Sequence, residues 1–216
     1  MPKPLQVPMF KPETEWVPPT NLPDLSDRKE IAIDLETRDP NLLTMGSGSV
    51  RGDGEVIGIA VAVEGWSGYF PINHEGGGNM DRALVLDWFE EVLHTDATKI
   101  FHNAMYDVSW IRSMGFQIRG GIIDTLIAAS LIDENRWGYA LNALGREYVG
   151  MGKNEKILQE AAKEWGVNPK SEMWRLPAPL VGEYAEQDAV VTLKLWHALQ
   201  HEISKQDLWD VFNLET

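Results

Sequence analysis

A chain of 216 residues, 44% of them hydrophobic, is long enough for one large domain with a sizeable core, while 33 Asp plus Glu against 19 Lys plus Arg give a formal net charge of −14. That balance argues against a protein that grips duplex DNA by neutralising phosphates and on its own reads as a plain acidic cytosolic protein, but it leaves room for an enzyme that holds a few nucleotides and lets bound cations supply the positive charge. The lack of cysteine excludes disulfides and thiolate metal sites, so any metal rests on oxygen or imidazole donors.

Seven of the twelve prolines fall within the first 23 residues, where fixed φ angles and missing N–H donors disfavour helix and central strand. Residues 1–27 therefore read as an extended arm. Glu30 to Asp34, Glu55 to Gly65 and Trp66 to Ile72 read as three strands separated by glycine and polar turn residues, which predicts an antiparallel meander. From Asn79 to Thr95, residues Leu84, Leu86, Trp88, Phe89, Val92 and Leu93 recur near helical spacing, with Asp81 near the start. Lys99 to His102 is a short buried strand running into a helix from Ala104 to Ser113, which Gly115 stops. Asp124 is placed to cap a helix through Leu131. Beyond Asn135 the pattern turns helical over Tyr139 to Val149, Asn154 to Trp165 and Pro179 to Lys205, with Pro169 and Pro177 punctuating the last loop. Strands first, then alternating strand and helix, then helices, predict an α/β fold with a sheet of mixed direction.

Asp34 and Glu36 stand two apart at the end of the first strand, so both side chains leave one face while Leu35 points into the core. A solvated turn is the ordinary explanation of such a pair. Asp107 lies four residues after Asn103, and Asp188 four after Tyr184, so each predicted helix presents a polar pair on one side. The apolar neighbours Met105, Val108, Trp110 and Ile111, and Ala189, Val190 and Val191, favour partnered over freely solvated carboxylates.

Taken in order, Ile33-Asp34-Leu35-Glu36-Thr37, Phe101-His102-Asn103-Ala104-Met105-Tyr106-Asp107 and Tyr184-Ala185-Glu186-Gln187-Asp188-Ala189 resemble the three motifs of the DEDDy 3′-to-5′ exonuclease family. The wording around Phe101 to Asp107 and Tyr184 to Leu195 is similar to the proofreading domain of family A DNA polymerases, phage-type ones especially, and the resemblance covers roughly residues 28–205. The related histidine branch carries its histidine five positions before the last aspartate; here Glu183 stands there, which leaves Tyr184 as the family's tyrosine. The resemblance implies a ribonuclease H-like fold, with a mixed five-stranded sheet containing an antiparallel meander and flanked by helices. It also implies two divalent cations, Mg²⁺ or Mn²⁺, held by Asp34, Glu36, Asp107 and Asp188. By that resemblance Asp34 would bridge the ions, Glu36 and Asp188 would complete the site that activates water, Asp107 would hold the second ion directly or through water, and Tyr184 would orient the attacking water.

By the same resemblance Thr37 and Asn103 are candidates for holding the terminal nucleotide or the geometry of the acids, against a turn for Thr37 and a helix cap for Asn103. His102 reads as a structural histidine and Asp124 as a cap. Trp137, Trp165 and Trp174 are weighed as stacking platforms against the core, and Lys153, Lys156, Lys163 and Arg175 as phosphate contacts against a solvated face. The expected organisation is an arm over 1–27, an exonuclease domain over 28–205, and a tail over 206–216 leading toward polymerase modules. The expected function is removal of nucleoside monophosphates from single-stranded or frayed DNA 3′ ends in polymerase proofreading. The rivals are a standalone exonuclease acting on RNA or DNA, and a silent module with the same fold. No apolar run reaches the roughly 18 to 20 residues of a membrane span and the N-terminus lacks a signal-peptide core, so the expected setting is the cytoplasm of a bacterial or phage-infected cell.

Overall fold

Alternation along β1 (Glu30–Arg38) decides the layering of the molecule. In the computed structural model, which describes residues 13–152 and 154–216, Ile31, Ile33 and Leu35 enter one core cluster while Ala32 enters another on the opposite face. The first twelve residues of the proline-rich arm, and Lys153, lie outside the described residues. Two short helices follow, α1 (Leu42–Met45) and α2 (Gly48–Arg51), and then β2 (Glu55–Val63) and β3 (Trp66–Pro71) form a hairpin. β1 pairs antiparallel with β2, and β2 with β3, which is the predicted meander.

Helix α3 (Arg82–His94) starts where Asp81 accepts from the N–H groups of Ala83 and Leu84, at 2.9 and 3.1 Å. It buries Val85, Trp88, Phe89, Val92 and Leu93 with Ile31, Ile33, Leu35 and Phe70 on one face of the sheet. β4 (Thr98–Phe101) then pairs parallel with β1, α4 (Ala104–Ser113) follows, and β5 (Ile122–Asp124) pairs parallel with β4. The strand order is β3-β2-β1-β4-β5, a five-stranded sheet of mixed direction as expected.

Beyond the sheet come α5 (Thr125–Ile132), α6 (Leu141–Leu144), α7 (Lys156–Trp165), the long α8 (Gly182–Lys205) and α9 (Trp209–Glu215). On the second face Ala32, Ala60 and Ala62 are small, which leaves room for α8 to lie close against β1 and β2. Glu30 fastens the far end of that contact: its carboxylate takes Trp196 Nε1–H at 3.1 Å and meets His197 Nε2 at 2.7 Å.

The structure corrects three details of the sequence reading. β1 continues past Asp34 to Arg38 because β2 offers it a partner, Leu35 opposite Ile59 and Glu36 opposite Gly58, so the Asp-x-Glu pair is inside a strand. The helix expected over Tyr139 to Val149 shortens to α6 plus a widened π turn at Gly145–Val149. A Cβ on Gly145 would lie 2.7 Å from Val191 and 2.8 Å from the Met151 carbonyl, and Gly150 ends the turn with φ +70°. Within residues 206–216, α9 buries Phe212, which stacks on Trp196 with centroids 5.5 Å apart.

The described part of the arm packs on the domain. Leu25 is buried, and Trp88 Nε1–H donates to the Pro23 carbonyl at 2.7 Å. Among the described residues no helix is long and apolar enough to cross a membrane.

Candidate active site

The face of β1 that sends Ala32 toward α8 also sends Asp34 and Glu36 there, because side chains two apart on a strand share a face. On α8, Tyr184 and Asp188 are four apart and share a side of the helix. The two elements bring one carboxylate oxygen from each of Asp34, Glu36 and Asp188 within 4.8 Å of one another. Glu36 and Asp188 are buried, at 8% and 4% exposure, and Asp34 is half-buried. The solvated-turn reading of Asp34 and Glu36 and the exposed-helix reading of Asp188 therefore do not hold.

Glycine at position 58, opposite Glu36 on β2, has a steric cause: a Cβ there would collide with the Tyr69 ring and hydroxyl. Tyr69 is fully buried and meets His74 Nε2 at 2.6 Å, while His74 Nδ1 lies 3.0 Å from the Leu176 carbonyl oxygen. Burial, with Glu36 and Asp34 nearby, pushes the Tyr69 hydroxyl well above the usual phenol range. Burial likewise pushes Tyr184 up, reinforced by Glu36, Asp188 and Asp34, so its hydroxyl stays neutral in the metal-free protein.

Asp107 belongs to the first turn of α4 and is 4% exposed. Its Oδ1 accepts the Leu35 backbone N–H at 3.0 Å, which joins α4 to β1 between the two strand acids. Burial, then the Asp34 charge, raise its pKa well above the usual carboxylate range. The structure thus brings Asp107 beside Asp34 but outside the tight group of three.

The entry to α4 is built by Asp124, which does more than cap α5. Its Oδ1 accepts from Leu126 N–H and Asn103 N–H, both at 2.9 Å, and its Oδ2 from Ala104 N–H at 2.8 Å. Asn103 is left-handed at φ +69°, a conformation that asparagine tolerates. It stands at the cap position without a side-chain cap bond, and it is exposed. Thr37 Oγ1 pairs with Tyr106 Oη at 2.7 Å, which replaces the turn reading. His102 is structural as expected, with Nδ1 at 2.8 Å from Thr125 Oγ1 and Nε2 at 2.8 Å from the Tyr139 carbonyl oxygen.

Of the stacking candidates, Trp165 is in the core and Trp174 has the Arg38 guanidinium over its ring at 4.6 Å, while Trp137 is fully exposed. Arg175 is a buried ion-pair residue with Glu75 at 3.2 Å and Glu172 at 3.3 Å, so the solvated-face reading of it does not hold. Lys156 and Lys163 are exposed. Residues not singled out from sequence line a cavity of about 410 Å³ beside Glu36 and Tyr184, among them Leu141, Asn142, Gln159, Lys170 and Met173. They come from separate segments, and no local spacing announces them.

Residues 22–204 match a family model described as 3′-5′ exonuclease. The DNA-directed DNA polymerase of Pseudomonas phage M6 is 38% identical over 225 residues, covering 98% of this chain and 33% of that polymerase. The chain spans about a third of the length of that curated relative. Among solved structures, Brucella melitensis NrnC with bound Mg²⁺ superposes with a TM-score of 0.56 at 20% identity, over 87% of this chain and 79% of that one. The EXO domain of Aedes aegypti Nibbler gives a TM-score of 0.58 at 18% identity, over 89% of this chain and 88% of that one. The fold is ribonuclease H-like.

Proposed function

The chain belongs to the 3′-to-5′ exonuclease domain family of phage and bacterial family A DNA polymerases, and on that premise we propose that Asp34, Glu36, Asp107, Tyr184 and Asp188 form its catalytic site. The reaction is hydrolysis of the last phosphodiester bond at the 3′ end of single-stranded or frayed DNA, releasing nucleoside monophosphates. The observation that carries this reading is the meeting of Asp34, Glu36 and Asp188 oxygens within 4.8 Å, with Tyr184 one helical turn before Asp188.

The donor set fits divalent cations. Carboxylates this close repel one another unless protonated or bridged by cations, and oxygen-only ligands suit Mg²⁺ or Mn²⁺ rather than soft metals. Asp34, Glu36 and Asp188 would hold one cation, and Asp34 with Asp107 would hold a second, directly or through water; Asp107 Oδ1 accepts the Leu35 N–H. Bound there, divalent cations would supply a lowered pKa of water and charge to offset that developing on the leaving 3′-oxygen.

Tyr184, one helical turn before Asp188, would orient the attacking water by hydrogen bonding through its hydroxyl. The cavity beside Glu36 and Tyr184 gives the terminal nucleotide room, with Lys170 in its wall as a partner for phosphate. Thr37 acts on the geometry of the site through Tyr106, and the exposed Asn103 side chain is left to the nucleotide. The setting is proofreading inside a bacterial or phage-infected cell, with polymerase modules as partners. The identity of the phage M6 relative as a DNA polymerase supports this.

The test is hydrolysis of matched DNA and RNA oligonucleotides with and without chelator. Exhaustive chelation is expected to abolish turnover, added Mg²⁺ or Mn²⁺ to restore it, and DNA to be the better substrate. Full activity in chelator overturns the metal mechanism; a preference for RNA favours a processing enzyme.

A further inference from the structure

Trp16 precedes the stretch 22–204 that matches the family model, yet it packs on the helix bearing Tyr184 and Asp188. Around it the arm is extended: Glu13, Glu15 and Val17 are exposed, while Thr14, Trp16 and Pro18 turn inward. The Trp16 Nε1–H donates to Glu186 Oε2 at 3.0 Å, and the other oxygen of that carboxylate accepts the Ser67 hydroxyl at 2.6 Å. One acid of α8 thereby ties the arm and β3 to the same helical turn.

Two further contacts aim at the site. The indole lies so close to Gly182 that any Cβ there would collide with its ring carbons. Its other neighbour is Tyr69, with ring centroids 6.0 Å apart, and the Tyr69 hydroxyl feels the charges of Glu36 and Asp34. Helix α8 starts at Gly182 without a side-chain cap bond. Tyr184 follows two residues later and Asp188 six.

We propose that Trp16 is a positioning residue: wedged between Gly182 and Tyr69, it sets the rotation and depth of the first turn of α8 against β1. It thereby fixes Tyr184 and Asp188 relative to Asp34 and Glu36. This rests on the catalytic reading above. A side-chain misplacement of about 1 Å costs up to roughly 100-fold in rate, so a loosened first turn is read in kcat and in cation affinity rather than in KM.

The experiment uses the full chain, well below its melting temperature, with single-stranded oligonucleotide hydrolysis and Mn²⁺ titration calorimetry. Trp16→Ala is expected to lower kcat by roughly 10- to 100-fold and to weaken Mn²⁺ binding, with KM little changed. Trp16→Phe, which keeps the ring against Gly182, is expected to recover most of kcat. Gly182→Ala approaches the same contact from the other side and covers the case in which Trp16→Ala does not fold. It is expected to lower kcat alone and to regain part of it when combined with Trp16→Ala, because the smaller residue makes room for the new methyl group.

A lower melting temperature with wild-type kcat and Mn²⁺ affinity in Trp16→Ala, or unchanged kcat in Gly182→Ala, overturns the proposal. The two readings fail separately. Wild-type turnover in Asp34→Ala removes the acidic cluster from catalysis. An inactive Asp34→Ala beside a fully active Trp16→Ala leaves the site standing and removes only the positioning role.

Discussion

Two tyrosines, Tyr184 and Tyr69, lie near the acidic cluster, and their surroundings give them different work. Tyr184 is one turn from Asp188, and its hydroxyl is kept neutral by burial and by three carboxylates. Tyr184→Phe deletes an oriented hydrogen bond without removing a ligand, so Mn²⁺ affinity should persist while single-turnover rate falls by roughly 10- to 10⁴-fold. Loss of Mn²⁺ binding in that variant would make the tyrosine part of the ligand set. Tyr69 instead donates its hydroxyl proton to His74 Nε2, and His74 Nδ1–H donates to Leu176 O, a pairing that requires neutral imidazole. Burial pushes the pKa of His74 down from its ordinary 6.5 to about 4. The unfolded chain therefore takes up this proton first as pH falls, so the contribution is intact above pH 6.5 and is lost as pH falls through about 4, amounting to roughly 3 kcal/mol. Urea midpoints at pH 7 and pH 4.5 should differ less in His74→Gln than in the wild type, and an identical pH dependence would contradict the assignment. The comparison with the variant isolates His74 from Asp107, whose raised pKa acts with the opposite sign in the absence of cations.

At the scale of elements, β1, α4 and α8 each carry part of the proposed site, and Asp124 holds the entry of α4. It accepts three backbone N–H groups from two helix starts, so Asp124→Ala leaves buried donors without partners and should cost about 2 to 4 kcal/mol. Because Asp107 follows within the first turn of α4, turnover should fall as well; a stable variant with full activity would show that the α4 entry is held by other contacts. The five proposed catalytic residues are legible through the ordered set of motifs they resemble; spacing alone pairs only Asp34 with Glu36 on a strand and Tyr184 with Asp188 on a helix, while Asn103, four before Asp107, is left-handed and outside α4. Tyr69, His74 and Trp16 are not legible, since they reach the site across long separations, as Trp16 reaches Glu186 over 170 residues. The meander, α3 and α4 are likewise legible from alternation, helical spacing and the Asp81 cap. The end of β1 is not, because β2 decides it, and neither is the π turn, which answers to Val191 on a distant helix. Asp124 is visible as a cap for α5, but nothing near it in the chain discloses that it also holds Asn103 and Ala104.

The 216-residue chain carries a formal charge of −14, which bears on how the proposed nuclease would meet DNA. A chain without a basic excess is ill suited to hold or open a duplex by phosphate neutralisation, so in the proposed mechanism attraction would come from the site and the cations it would hold. Single strands should be degraded faster than GC-clamped duplexes of the same 3′ sequence, and equal rates on the two would contradict this account. The central claim, that the cluster of Asp34, Glu36 and Asp188 is the hydrolytic centre of a 3′-to-5′ exonuclease, meets its most direct test in one time course. A single-stranded oligonucleotide labelled at its 5′ end is incubated with Mg²⁺ and either the wild type or a folded Asp34→Ala variant. The account predicts a ladder that shortens by single nucleotides with the wild type and an intact substrate with Asp34→Ala. A ladder of equal rate from the variant, or immediate release of the 5′-terminal nucleotide by the wild type, would contradict it.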